Sequence, residues 1–71
     1  MSFTSFFHQI LGNLVCHDQA ALIGYVERRL TDYPAVAGEV RRCMNQQAAS
    51  ISGASLGVLR SLANQWLMDH R

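Results

Sequence analysis

Cys16 and His17 stand side by side, and with Cys43, His8 and His70 they are the residues whose types suggest nucleophilic or metal chemistry. A thiol next to an imidazole has the composition of a nucleophile with its base. Sequence neighbours on a helix junction project in different directions, however, and no glycine-rich loop or oxyanion device accompanies this pair. Zinc sites draw their ligands from tight pairs such as C-x2-C or H-x3-H, and neither cysteine has such a partner. The five acidic residues are spread singly, with no pair at helical spacing, so no general acid–base couple is expected. A chain of 71 residues also leaves little room for a substrate pocket. The chain is therefore expected to be no enzyme, with no catalytic residue, no metal, no cofactor and no small-molecule substrate. Cys43 is expected to be a small buried hydrophobe, and the histidines surface or capping residues.

What remains is binding chemistry. The net charge of +1 supplies no large field to draw the chain to nucleic acid or an anionic membrane. All six basic residues are Arg. Biased genome composition produces that pattern, but Arg is also the basic residue that interfaces concentrate. Only 15% of residues are charged while 49% are apolar, and a domain this small supplies roughly 3–5 kcal/mol of stability by itself. An apolar surplus of this kind leads to the expectation of a protein partner, a homodimer included. The residues that would meet it are Phe3, Phe7, Leu56, Arg60 and Met68, with Arg41 and Arg42 as a polar rim, since aromatics, Met and Arg dominate such contacts.

The elements that must position these residues follow from apolar spacing. Phe3, Phe6, Phe7, Ile10, Leu11, Leu14 and Val15 fall on one helical face, which predicts a helix over residues 3–15 despite Gly12. Its three phenylalanines either fill the core against the last helix or meet another chain. A second helix is expected from Asp18, as N-cap, to about Leu30, with Leu22, Val26 and Leu30 inward and Arg28 and Arg29 suiting the negative end of the helix dipole. Thr31-Asp32-Tyr33-Pro34 stops it, because a residue before proline avoids the α region and proline suits a first helical position. The third helix is expected over residues 34–49, carrying Val36, Val40, Cys43, Met44 and Ala48 inward, with Glu39 and Arg42 pairing across one turn. The last helix is expected to follow Ser52 or Ser55 as N-cap, with Leu56, Leu59, Leu62, Ala63, Trp66 and Leu67 on its apolar side, and to fray after Met68 or Asp69.

The run Ala48-Ala49-Ser50-Ile51-Ser52-Gly53-Ala54-Ser55-Leu56-Gly57-Val58-Leu59-Arg60 resembles the helix-turn-helix of the Fis family of DNA-binding proteins, in which an Ala-Ala pair, a turn glycine and a Gly-x-Leu-Arg segment recur in this order. The resemblance covers residues 48–63 and implies that Gly53 makes the turn and that the last helix faces DNA. On the DNA-binding alternative the contacts would come from Arg41, Arg42 and Arg60 as a basic strip, with Ser55 and Asn64 beside them. The departure lies in charge. On the outward side of this helix Arg60 is the one full cation, whereas phosphate-dominated affinity needs several on one surface. Leu56, at a position expected to meet DNA, suits a protein groove better.

The expected architecture is thus all-α, a single domain over residues 1–71 built as a compact bundle of four short helices, the last two forming a helix-turn-helix-like pair. Phe3, Phe6, Phe7, Leu59, Leu62 and Trp66 are its expected aromatic core. The expected function is that of a small cytoplasmic regulator, adaptor or inhibitor that binds protein, the alternative being a Fis-like transcription regulator. The N-terminal stretch lacks the basic region of a signal peptide, two cysteines are too few for a secreted domain of this size, and no apolar run approaches the ~20 residues of a membrane span. The Phe-rich first segment carries no Lys or Arg, unlike an interfacial membrane helix.

Overall fold

In the computed structural model, which describes residues 1–12, 17–48 and 50–70, the chain is all-α, with helices α1 (Phe3–Leu11), α2 (Gln19–Arg29), α3 (Pro34–Asn45) and α4 (Gly53–Asp69). Each start has a local cause. Ser2 and Ser52 accept from the backbone N–H of Ser5 and Ser55, Asp18 accepts from that of Ala21, and Pro34 opens α3 after a single 3-10 turn, Leu30–Asp32. These caps satisfy amides that a helix's first turn leaves without partners.

Two ends differ from expectation. α1 stops at Leu11 rather than running to Val15, because Gly12 takes φ 71° and ψ −165°, a combination open essentially to glycine, and its N–H returns to the His8 carbonyl at 2.9 Å. Leu14 and Val15 lie outside the described residues. α3 stops at Asn45 rather than near Ala49. Gln47 adopts φ 52°, its N–H reaches the Met44 carbonyl at 3.2 Å, and the Ala48 N–H reaches the Cys43 carbonyl at 3.0 Å. That pair of bonds is the Schellman closure, usually built on glycine. Gly53 does not make the turn expected of it; it is the first residue of α4, with the left-handed position of this connection taken by Gln47.

The core lies between α2 and α4, the most extensive helix pairing in the molecule, with α1 laid across it. Phe6, Phe7, Leu22, Val26, Leu59 and Leu62 are fully buried, and Phe3 packs at ring distances of 6.4 Å from Phe6 and 6.1 Å from Phe7. Trp66 and Leu30 complete the enclosure. Among the described residues the apolar surplus is therefore absorbed. Spacing of three and four puts all three phenylalanines on the inner face of one short helix, and among the described residues Met68 is the one large apolar side chain left exposed. No helix of the described residues is long and apolar enough to cross a membrane.

Candidate protein-binding surfaces

α3 leaves α2 at the 3-10 turn, and the angle between them opens a cleft of about 410 Å³. Leu30, Pro34, Ala37, Val40, Met44 and an edge of Phe3 supply its apolar surface, with Thr31 and Gly38 beside them. Glu27 of α2 and Arg41 of α3 add one charge of each sign. Among the described residues neither charge has an ion-pair partner; the ion pair found there joins Arg29 to Asp32 at 3.4 Å. Gly38 sits within α3, and a Cβ built on it meets nothing within 4 Å, so the cleft is open above it. Thr31 spends its hydroxyl on the Arg28 carbonyl at 2.9 Å.

A second surface is the outer face of α4, where Arg60, Ser61, Asn64 and Met68 are exposed, with Asp69 exposed on its flank one turn beyond Gln65. Arg60 and Asn64 line a shallow depression of about 170 Å³ with Leu11 and Ala63. Met68, at 66% exposure, stands one turn beyond Asn64.

Two polar clusters hold the helices that carry these surfaces. Glu39 does not pair with Arg42 as its spacing suggested. Its carboxylate reaches across to the start of α4, accepting from the Ser52 N–H, from the Ser52 hydroxyl at 3.2 Å and from the Ser55 hydroxyl at 2.7 Å. The Ser52 N–H and then the Ser55 hydroxyl are the main causes that hold the Glu39 carboxyl below the usual glutamate range, with the Arg42 charge a lesser contribution. A carboxylate at a helix N-terminus also meets the positive end of its dipole. On the far side, Arg29 donates to the Tyr25 hydroxyl and, at 3.4 Å, to Gln65, which ties α2 to the C-terminal half of α4.

The residues proposed from sequence fall in different places. Phe3 and Arg41 share the cleft; Arg60 and Met68 share the outer face of α4; Arg42 is exposed on α3. Phe7 is 1% exposed and belongs to the core, so it is not offered to a partner. Leu56 is half-buried rather than presented outward. Ser55 is 6% exposed with its hydroxyl on Glu39, so of the residues assigned to DNA it is the one turned inward; Asn64 is exposed beside Arg60. Spacing did not single out Glu27 and Gly38, and assigned Met44 only to the inward side of α3, because the cleft depends on how α3 leaves α2.

Of the residues considered for metal or catalysis, Cys16 lies outside the described residues and His17 is exposed beside the start of α2. His8 Nε2 is 3.2 Å from Gln19 Oε1, His70 stacks on Trp66 at 4.0 Å, and the buried Cys43 thiol donates to the Ser50 carbonyl at 2.9 Å. Among the described residues no three His, Cys, Asp or Glu side chains gather as a ligand set. In comparison with known proteins, the chain matches no family model, no curated protein and no solved structure.

Proposed function

We propose that this chain is a small cytoplasmic protein-interaction module, a regulator, adaptor or inhibitor rather than an enzyme, and that the cleft between α2 and α3 is where it takes hold of protein. The observation that carries this is the pairing of an apolar surface with two opposite charges, Glu27 and Arg41, that no described side chain neutralises. Small-molecule sites set several convergent polar groups around their ligand. Here the one neutral side-chain hydroxyl, that of Thr31, already donates to a backbone carbonyl. A segment of another protein, with an apolar side chain between charged ones, suits this surface better. Protein is favoured over DNA by Ser55 facing Glu39 and by Arg41 lying on the cleft while Arg60 lies on the outer face of α4. Such a module works by occlusion or bridging, covering a partner's surface or joining two.

The test places a photo-crosslinking amino acid at Thr31, with exposed Gln9 on α1 as the control position, in the native cell. The expected result is a discrete protein adduct from Thr31 that disappears when Gly38→Trp fills the cleft. Equal adducts from Gln9 would overturn the proposal. So would a gel shift of mixed-sequence duplex DNA that weakens steeply between low and moderate salt, since that dependence reports phosphate neutralisation.

A further inference from the structure

We propose that the cleft receives a second copy of this chain, seated by Met68 and the charges near it on α4, an assignment that rests on the cleft being a protein-binding surface. The chain carries both halves of such a contact. Met68 is the one large apolar side chain exposed among the described residues, and a flexible thioether fills irregular apolar recesses well. The charges are complementary. The cleft sets acidic Glu27 on its α2 wall and basic Arg41 on its α3 wall, while on α4 basic Arg60 and acidic Asp69 stand about 80° and 100° round the helix on either side of Met68. None of these four has an ion-pair partner among the described residues.

Met68 does not serve its own cleft. Tyr25 and Arg29 both bond to Gln65, at 3.5 and 3.4 Å, at the exposed rim of the α2–α4 contact. No α4 residue lines the cleft. Two unlike patches that share no residue join head to tail, which builds rings or open chains rather than a contact of one patch with its own copy. The homodimer anticipated from composition becomes a concentration-dependent series.

Sedimentation velocity on the full chain, with Gly38→Trp blocking the cleft and Met68→Glu removing the knob, tests this. Both positions are open in the isolated chain, so each variant is expected to fold, which circular dichroism checks first. The wild type is expected to gain mass continuously with concentration into the millimolar range, and each variant alone to associate at least about tenfold more weakly. An equimolar mixture of the two variants is expected to stop at a 1:1 pair, because one intact knob meets one intact cleft. A wild type that stays monomeric throughout, variants that associate as the wild type does, or a mixture that stays monomeric while the wild type associates would each overturn the proposal. A monomeric wild type whose Thr31 crosslinker still traps a different protein overturns self-association alone; a monomer with no specific Thr31 adduct overturns the protein-binding proposal as well.

Discussion

Replacing Gly38 with alanine is expected to stabilise the fold by about 0.8–1.0 kcal/mol, the helix-interior difference between the two residues. The structure supplies the conditions for the full gain. Gly38 lies inside α3, its backbone is not left-handed, and the added methyl meets no atom within 4 Å. Part of the effect comes from the unfolded chain, where alanine has fewer conformations to lose. For a domain of this size 1 kcal/mol moves the melting midpoint by roughly 4–8 °C, well within the resolution of a thermal melt followed at 222 nm. Urea unfolding should give the same gain with an unchanged slope. Gly57, exposed on α4 with no atom within 4 Å of its Cβ, provides an independent copy of the experiment, and the two gains should add. A lower midpoint for Gly38→Ala would refute the reasoning, because it would mean that something already occupies the space the structure leaves open. Gly38→Trp should likewise remain folded, its ring lying in the cleft. That tolerance is what makes it usable as a blocking variant.

Three further outcomes follow. Gln47→Gly should raise stability by up to about 1 kcal/mol in urea unfolding, since a left-handed φ of 52° costs an L-residue roughly 1–2 kcal/mol and glycine returns part of that gain as backbone entropy; an unchanged midpoint would mean that Gln47 is not strained. Glu39→Gln should flatten the acid limb of the pH–stability profile. Because the folded carboxyl titrates below its ordinary value, its contribution is present above that value and is lost as pH falls through the lower folded one, so equal acid limbs for the two proteins would refute the Glu39–Ser52–Ser55 contact. Phe7→Ala should cost about 3–5 kcal/mol, a large share of the roughly 5–15 kcal/mol of a typical domain, and leave a largely unfolded chain by near-ultraviolet circular dichroism. A stable Phe7→Ala protein would return this ring to the surface.

Helix starts were legible because their signals are local. Ser2, Asp18, Ser52 and Pro34 each cap or open a helix with their own atoms. The ends were less so. Gly12 looked tolerable inside a strong apolar stripe, and nothing in Gln47 announces a left-handed residue. Glu39 was misplaced because a neighbour at i+3 is visible in sequence, while two serines beyond the next turn are not. Phe7 was misplaced at the surface for a related reason. Composition counts side chains, whereas the shelter available depends on how closely α1 closes over the α2–α4 pair. Arg41, Arg60 and Met68 were picked out by residue type, yet their division between two surfaces depends on α3, and not α4, forming a wall of the cleft. That is a property of packing.

The central claim is that the cleft between α2 and α3 holds protein, and crosslinking from Thr31 in the native cell, with and without Gly38→Trp, tests it most directly. A discrete adduct that the tryptophan removes, while Gln9 yields none, is the predicted result. An adduct pattern that is the same at both positions and indifferent to the tryptophan would contradict it.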